Sequence, residues 1–396
     1  MKSQGKKVFV GLSGGVDSAV SAALLKKMGY EVTGVFIKVW QPDWIECSWR
    51  EERRDAMRAA AHLGIPFVTL DLDREYKQGV IDYMLAEYEQ GRTPNPDVMC
   101  NRKVKFGAFY DWAMLNGADF VATGHYARIR IPGIEKPPTV EPATSVSRRE
   151  RKLAGTETLR RDEEGEGFSL MAGRDQNKDQ SYFLWTLKQE QLPRILFPVG
   201  DLTKPEVRKL AEKLGLPNAG KKDSQGLCFI GKIDLKEFLA HYVKTERGNV
   251  LDESGGIIGT HPGALFFTMG ERHGFTVDKK TRDADKLYVI DKDMDQNTIT
   301  VAARARGNFP SAGDMSRTVR ISQVNWIMGS APEGYIGVKT LQARGRYRQT
   351  LESVIIKSIG LTEAAVEFEK PQKTATSGQS LVIYDGDECL GGGVID

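Results

Sequence analysis

A glycine-rich turn lies between the first apolar segment of the chain and the first helical pattern. It reads S-G-G-V-D-S at positions 13–18; Val8–Gly11 before it is strand-like, and Asp17–Met28 carries apolar residues at helical spacing. Glycines let a backbone approach a ligand closely, and a helix N-terminus supplies N–H groups and a positive dipole. The spacing matches neither the Walker A nor the G-x-G-x-x-G pattern. We therefore expect a phosphate site of another kind, the alternative being a tight turn with a capping serine or aspartate.

Two of the four cysteines lie in polar segments that favour a reactive thiol. Cys100 ends T-P-N-P-D-V-M-C at 93–100, with Asp97 three residues before it and a helical pattern at Lys103–Leu115 after it. Cys228 lies in S-Q-G-L-C-F-I at 224–230, behind two lysines and an aspartate. A helix N-terminus and basic neighbours lower a thiol pKa. The alternative for each is a buried core cysteine. The remaining cysteines are interpreted as packing residues: Cys47 and Cys389.

Composition excludes several classes of protein. The 396 residues include 56 basic and 53 acidic side chains, a net charge of +3, which excludes a histone-like polycation but allows a local basic face for RNA. The chain lacks C-x-x-C pairs and zinc-finger histidine spacing, so we expect no structural metal site. No apolar run reaches about 18 residues, and no secretory signal or transit peptide is recognisable. We expect a cytoplasmic protein without a membrane segment.

The order of elements predicts an α/β domain followed by a smaller, strand-rich part. The first 125 residues alternate strand and helix patterns, which favours a parallel sheet with helices on both faces and ligands at the carboxyl ends of the strands. Residues 132–167 contain four prolines and no aromatic residue, so we expect a flexible insertion there. Helical patterns follow at Lys204–Leu214 and Asp234–Val243. Short alternating strands at 317–396 indicate a small all-β barrel or sandwich.

Basic residues alternate in one of these predicted strands. Arg344, Arg346 and Arg348 lie two residues apart within the strand pattern Tyr335–Arg348. In a strand they would share one face, which suits an RNA phosphate backbone. A solvated strand face is the alternative.

The turn at 13–18 resembles the PP-loop of the ATP pyrophosphatases, families that cleave ATP between the α and β phosphates and adenylate an oxygen of a second substrate. The loop alone fits GMP, argininosuccinate, lysidine and thiocytidine synthetases as well as 2-thiouridylases. Further segments are more selective: T-P-N-P-D-V-M-C-N at 93–101, G-H-Y-A-R at 124–128, K-D-Q-S-Y-F-L at 178–184, the Cys228 segment, Ala343–Arg348 and C-L-G-G-G at 389–393. Together, over nearly the whole chain, they closely resemble tRNA-specific 2-thiouridylases of the MnmA type.

The resemblance implies a three-part organisation. We expect a PP-loop ATP-binding catalytic domain at 1–200, a helical tRNA-binding segment with a small central domain at 201–305, and a C-terminal β-barrel at 306–396. Two features depart from the family pattern. The insertion at 132–167 is longer than expected, and Ile37 stands where a methionine is expected near the adenine.

Site residues follow from the resemblance by position. The residues implied in binding ATP, with Mg²⁺, are Gly11, Leu12, Ser13, Gly14, Gly15, Val16, Asp17, Ser18, Ile37 and Gly124. Those implied in holding the flipped target base are Asn95, Pro96 and Asp97. Those implied in contacting tRNA elsewhere are Lys178, Asp179, Gln180, Arg346 and Tyr347. His125 is interpreted as a packing or capping residue.

The implied reaction is ATP-dependent 2-thiolation of the wobble uridine, position 34 of the tRNA. The C2 oxygen attacks the α-phosphate, and pyrophosphate leaves. A persulfide on Cys228, loaded by a sulfur-relay donor protein, then delivers sulfur with release of AMP. Cys100 is the implied nucleophile that frees the sulfur, either through a Cys100–Cys228 disulfide or by liberating hydrosulfide. Asp97 is the implied general base. The family implies Lys, Glu and Gln isoacceptors; the sequence does not indicate an oligomeric state.

Three alternatives stay open at this point. A thiocytidine synthetase would carry paired C-x-x-C cluster ligands, which are absent here. A PP-loop ligase for a small molecule would make no use of two reactive cysteines. A non-catalytic tRNA-binding protein would not need the intact Ser13, Asp17 and Ser18. Pyrophosphate release that depends on tRNA distinguishes all three.

Overall fold

The computed structural model describes residues 5–44, 49–132, 167–222, 235–278, 287–303, 317–370 and 376–396. Nearly all of the predicted insertion at 132–167 lies outside these ranges, as do Cys47 and Cys228. The helices in the described ranges are α1 (Val16–Lys27), α2 (Trp49–Leu63), α3 (Asp73–Tyr76), α4 (Tyr83–Glu89), α5 (Pro96–Met99), α6 (Phe109–Leu115), α7 (Lys204–Lys213) and α8 (Leu235–Tyr242). Two π-helical segments, Lys77–Asp82 and Cys100–Ala108, join α3 to α4 and α5 to α6.

The strands of the first half of the chain are β1 (Lys7–Gly11), β2 (Glu31–Lys38), β3 (Phe67–Asp71), β4 (Phe120–Ala122), β5 (Ala127–Arg130), β6 (Ser169–Ala172) and β7 (Ile195–Leu196). Those of the middle part are β8 (Gly248–Leu251), β9 (Ile257–His261), β10 (Thr276–Val277), β11 (Leu287–Asp293) and β12 (Thr298–Ala303). Those of the last part are β13 (Thr318–Trp326), β14 (Leu341–Arg344), β15 (Glu352–Ile359), β16 (Glu363–Phe368), β17 (Ser380–Asp385) and β18 (Glu388–Ile395).

The first sheet is parallel, which confirms the predicted α/β class. Among the described residues its strand order is β3-β2-β1-β4-β7, with every pairing parallel. Strand β1 lies in the middle of this sheet, where its apolar residues Val8 and Val10 are fully buried. Burial of one such side chain stabilises the fold by about 1.5–3 kcal/mol. The chain winds in opposite directions on the two sides of β1. The turn at 13–18 therefore lies at the point where such sheets bind ligands.

Glycines end two helices as the sequence predicts. Gly29 follows α1 with φ +89° and Gly64 follows α2 with φ +58°. These are left-handed conformations in which glycine carries no Cβ penalty.

The helix that carries Cys100 begins earlier than its apolar pattern predicts. Asn95 is its N-cap: the side-chain oxygen accepts from the Val98 N–H, and Pro96 occupies the first helical position. The π-helical segment then continues from Cys100 without a break. Cys100 thus lies beyond the first turn, and not just before a helix N-terminus. The position just before a first turn, on which the predicted dipole effect depends, is therefore not the one that Cys100 occupies.

The C-terminal part is an antiparallel barrel, as predicted. In the described ranges β13-β16-β15-β14-β17-β18 pair in that order, and β13 also pairs with β18, which closes the barrel. Strand β18 pairs in addition with β6, which pairs with β5. The barrel therefore shares a sheet with strands that follow the first domain's β4. Strands β10-β9-β8-β12-β11 form a separate middle sheet.

An apolar core joins the first and middle parts. Cys100 packs in it with Tyr76 and Phe109 of the first part and with Phe238 and Phe266 of the middle part. No helix within the described residues is long and apolar enough to cross a membrane.

Candidate nucleotide and RNA site

The loop between β1 and α1 is built to leave backbone N–H groups open. Gly14 has φ +77°, and a Cβ there would lie 2.4 Å from the carbonyl oxygen of Glu52, so this position requires glycine. Gly15 caps α1 without a side-chain hydrogen bond. The hydroxyl of Ser18 donates to the Gly15 carbonyl oxygen at 3.2 Å and accepts from the Ser13 N–H at 3.3 Å. As at other helix starts, the N–H groups of the first turn of α1 have no acceptor within the helix and are available to an anion.

The other residues predicted to bind ATP lie at the same edge of the sheet. Ile37 lies near the carboxyl end of β2 and is buried, and Leu12 and Val16 are buried at the two ends of the turn. Gly124 follows β4 on the other side of β1. A Cβ at Gly124 would lie 2.7 Å from the Ser18 nitrogen, so only glycine allows this approach.

Two side chains that the sequence analysis missed hold the carboxylate of Asp17. The Tyr126 hydroxyl donates to its Oδ1 at 2.8 Å. The Lys204 ammonium lies 2.8 and 2.9 Å from Oδ1 and Oδ2. Lys204 is distant in sequence, and the only signal was the capping pattern T-K-P-E at 203–206, which marks a helix start without indicating what it faces.

Asn218 is a third residue that the sequence analysis missed, and it bonds the backbone of the loop. The Asn218 amide donates to the carbonyl oxygens of Gly14 and Gly15, at 3.0 Å each. Lys221 bonds Asp55 of α2 at 2.8 Å. Burial raises the pKa of neighbouring Glu52. The segment from Lys204 to Lys221 thus forms a wall of the loop.

The T-P-N-P segment lies where all three parts of the protein meet. The Thr93 N–H donates to the Ser377 carbonyl oxygen at 2.9 Å, and the Gln379 amide donates to the Thr93 and Pro94 carbonyl oxygens at 2.8 and 3.1 Å. The Thr93 hydroxyl lies 3.3 Å from that of Thr268 in the middle part. The barrel and the middle part therefore fix the backbone that leads into α5.

Asp97 and Cys100 occupy one face of the helix that follows. Their spacing of three residues makes them neighbours on the helix surface. Asp97 is half-buried in the first turn, whereas Cys100 is fully buried. A reaction at the Cys100 sulfur therefore requires access that this conformation does not provide. Cys228 lies outside the described residues, so its pairing with Cys100 stays a prediction.

His125 is a buried imidazole between two polar partners. Its Nδ1 lies 2.7 Å from the Thr123 hydroxyl and its Nε2 lies 3.4 Å from the Lys105 ammonium. Burial, together with the charge of Lys105, holds the pKa of His125 well below its usual value. The ring is therefore neutral near pH 7.

The three residues predicted to contact tRNA at 178–180 have different surroundings. Asp179 is buried: its carboxylate accepts from the Gly173 and Ser181 N–H groups and lies 2.5 Å from the Arg344 guanidinium. Gln180 accepts from the Tyr126 N–H at 3.0 Å, which connects it to the loop through that tyrosine. Lys178 and Gln180 are partly exposed, whereas the Asp179 side chain faces the protein interior.

The prediction that Arg344, Arg346 and Arg348 share one face of a strand is wrong. Strand β14 ends at Arg344, which is 6% exposed and paired with Asp179, and Arg348 has φ +62° in the turn that follows. A strand face cannot continue through that turn. Arg346 and Tyr347 lie partly exposed in the turn, where Arg346 donates to the Thr376 hydroxyl at 2.8 Å. The Tyr347 ring packs 4.6 Å from that of Phe183.

We expect Asp179→Ala to destabilise the protein by about 3–5 kcal/mol, because it leaves the Arg344 charge buried without its partner. Urea unfolding followed by tryptophan fluorescence measures the change. The matched control is Glu190→Ala, whose exposed pair with Lys188 at 3.8 Å contributes at most about 1 kcal/mol. The double variant Asp179→Leu/Arg344→Met should recover much of the loss. Equal stability of Asp179→Ala and the control would contradict this role.

Comparison with known proteins identifies the family. Residues 6–232 match the family described as "tRNA methyl transferase HUP domain", 236–303 its "PRC-barrel domain", and 316–395 the "Aminomethyltransferase beta-barrel domain". The tRNA-specific 2-thiouridylase MnmA of Streptococcus mutans is 42% identical over 393 residues, which cover 98% of this chain and 95% of that protein. MnmA of Shewanella amazonensis is 43% identical over 397 residues, covering 99% and 94%. The chain belongs to the MnmA family. The enzyme class predicted from the motifs, a tRNA-specific 2-thiouridylase, is thereby confirmed.

Within this MnmA family member, the structure places the predicted ATP residues at one edge of the parallel sheet and the T-P-N-P segment against the barrel and the middle part. The residues missing from the sequence analysis, Tyr126, Lys204 and Asn218, support the loop from other parts of the chain. The chemical roles assigned to individual residues stay predictions.

Proposed function

We propose that this protein uses ATP to replace the C2 oxygen of the wobble uridine of tRNA, position 34, with sulfur. The observation that supports the proposal is the presence of two features in this chain. One is the open N-terminus of α1 beside Asp17. The other is the T-P-N-P segment, held by the barrel and leading into the helix of Asp97 and Cys100. The names of its relatives support the same reaction.

ATP fits the loop by its chemistry. The open N–H groups and the hydroxyls of Ser13 and Ser18 suit phosphate oxygens. Gly14 and Gly124 leave the room that side chains would fill. We place the adenosine between Ile37 and Gly124. A carboxylate is the ligand type that Mg²⁺ prefers, so Asp17 would hold the ion, which when bound neutralises phosphate charge.

The tRNA is proposed to bind across the first domain and the barrel. Chemistry on a base requires the base to leave the stack, and Asn95, Pro96 and Asp97 would hold it. Lys178, Gln180, Arg346 and Tyr347 would contact the rest of the RNA, with Asp179 supporting them through its ion pair with Arg344. We propose Lys, Glu and Gln isoacceptors as substrates.

The proposed reaction adenylates the uridine and then transfers sulfur to it. The uridine C2 oxygen attacks the α-phosphate, and the bond to pyrophosphate breaks. The terminal sulfur of a Cys228 persulfide, loaded by a sulfur-relay donor protein, attacks C2, and AMP leaves. In one route the Cys100 thiolate attacks the Cys228 sulfur, which forms a disulfide and frees thiouridine; a dithiol reductant then restores both thiols. In the other, the Cys100 thiolate attacks the inner Cys228 sulfur first, which forms the same disulfide and liberates hydrosulfide; the hydrosulfide then attacks C2, AMP leaves, and the dithiol reductant again restores both thiols. Asp97 would accept the proton of the Cys100 thiol.

Mass spectrometry of nucleosides tests the proposal. Bulk tRNA incubated with the protein, ATP, Mg²⁺ and a persulfide donor should gain 2-thiouridine, and omission of ATP should prevent it. Sulfur in cytidine would indicate a thiocytidine synthetase. Binding of tRNA without any thiolated nucleoside or pyrophosphate would indicate a non-catalytic RNA-binding protein.

We also propose that the protein is cytoplasmic and that its domains meet near residues 200 and 305.

Arg346→Ala should weaken tRNA binding and lower the slope of log K against log salt by about one unit, as expected for one lost phosphate contact. Filter binding at several salt concentrations measures both. The control is Arg320→Ala, on an exposed position of β13 in the same barrel. Unchanged affinity and slope for Arg346→Ala would remove this residue from the RNA surface.

A further inference from the structure

Asn101 follows Cys100 directly and is buried with it. Its side chain is 3% exposed, and its amide nitrogen donates to the Phe183 carbonyl oxygen at 3.1 Å. The amide oxygen Oδ1, in contrast, has no hydrogen-bond partner within the described residues. A buried acceptor without a partner is destabilising, and a native protein keeps one where a ligand or a water completes the bonding. The position of Asn101 indicates which ligand this is.

The Phe183 carbonyl fixes the direction in which the Asn101 amide points. A carbonyl oxygen only accepts hydrogen bonds, so the amide atom that faces it is the nitrogen; a flipped amide would set two acceptors against each other. The nitrogen carries two N–H groups, and the bond to Phe183 uses one of them. Asn101 therefore has an acceptor and an adjacent donor whose order cannot be reversed without loss of this bond.

Asn101 lies one helical turn beyond Asp97. The two residues are four positions apart, which places their side chains on one face of the helix. Asp97 is half-buried, whereas Asn101 is buried deeper along that face. The ring of Phe183, whose carbonyl holds Asn101, packs 4.6 Å from the ring of Tyr347. Asn101 is thus connected both to the segment proposed to hold the target base and to a residue proposed to contact the rest of the RNA.

We propose that Asn101 recognises the target base as uracil. Uracil carries an N3–H donor next to its O4 acceptor, and these match Oδ1 and the remaining N–H of Asn101. Cytosine carries the reverse order, an N3 acceptor next to an amino donor, and the bond to Phe183 prevents the amide from turning to match it. The C2 oxygen lies on the other side of N3 and stays free to react.

This inference deepens the proposed function, because it rests on the segment of Asp97 holding the flipped base. Asn101 and Cys100 are neighbours in the same buried region, so the access that a reaction at Cys100 requires also brings the base to Asn101. A site that hydrogen-bonds a substrate group rejects the analogue without that group, because the polar atoms of the site are then left unpaired.

Two transcripts of one tRNA, with uridine or cytidine at position 34, test the inference through their rates of pyrophosphate release. A bidentate contact to a base edge changes discrimination roughly 5- to 150-fold. Asn101→Asp replaces the N–H donor with a second acceptor, so we expect the preference for uridine to fall at least about tenfold. The preference is a ratio measured on one preparation, and partial loss of folded protein therefore cancels. An unchanged preference would overturn the inference.

Asn116→Asp is the matched control. The Asn116 amide also donates to a backbone carbonyl oxygen, that of Trp112 at 2.8 Å, but it is exposed at the end of α6. This variant should keep the wild-type preference for uridine.

The wild-type protein provides a second test, which applies even if the Asn101 variants fail to fold. A tRNA with 2-pyrimidinone at position 34 keeps the C2 oxygen but lacks O4 and the N3–H. It should bind as the uridine tRNA does in filter binding and release pyrophosphate at least about tenfold more slowly. In Asn101→Ala the two bases should differ less. Equal rates for the two bases with the wild-type protein would refute the role of Asn101, whereas no pyrophosphate release with the uridine transcript would refute the proposed function itself.

Discussion

Asp17→Asn is expected to lower tRNA-dependent pyrophosphate release at least about 100-fold, the scale on which loss of one charge-stabilising group reduces a rate. The amide keeps the volume and one oxygen for the Tyr126 hydroxyl, but it loses the charge that holds Lys204 and would hold Mg²⁺. A coupled phosphate assay with saturating tRNA measures the rate.

The fold should survive this substitution, because the Asp17 side chain is 30% exposed and the ion pair is partly screened. Circular dichroism and the melting temperature check this. Asp111→Asn, at an exposed position of α6, is the matched control for loss of one carboxylate and should keep the wild-type rate. Near-normal turnover by Asp17→Asn would refute the assignment of residues 11–18 as an ATP-cleaving loop.

The second large effect is expected at the two thiols. Cys228→Ser should accept no sulfur from a persulfide donor yet still release pyrophosphate with tRNA, because a hydroxyl is nearly isosteric with a thiol but forms no persulfide. Cys100→Ser should retain labelled sulfur on Cys228, because no thiolate remains to free it: the reaction stops after AMP release in the disulfide route and after adenylation in the hydrosulfide route. Both variants should therefore make no detectable thiouridine, and they should differ in where labelled sulfur resides.

Cys389→Ala is the control for these thiol variants. Burial raises the pKa of the Cys389 thiol, so it is an inert packing group, and its removal should leave thiolation intact while lowering stability. Peptide mapping with labelled sulfur locates the persulfide. Label on Cys100 with none on Cys228 would reverse the two roles. Full thiolation by Cys100→Ser would make Cys100 structural, consistent with its burial in the core between the first and middle parts.

Local chemistry explains which predictions succeeded. The turn at 13–18, the glycines after α1 and α2, and the alternation of strands and helices depend on residues close in sequence, so their types and spacing were sufficient. The start of the Cys100 helix was missed, although Asn95 and Pro96 carry its signals, because the prediction followed the apolar period and not the cap. The prediction that the three arginines share one strand face was wrong, because alternation produces a shared face only where the strand continues, and β14 ends at Arg344.

The amino-acid sequence by itself was therefore sufficient to predict the fold class of the first domain, the loop and the family resemblance, since each depends on short motifs. Which distant side chains complete the loop was decided only by the tertiary structure. Lys204, Asn218 and Tyr126 face Asp17 and the loop carbonyls because α7 packs on α1 and because Tyr126 follows β4 beside β1. The T-P-N-P segment meets Gln379 and Thr268 for the same reason. Contacts across such distances depend on how whole elements pack, and no local pattern of residue types encodes them.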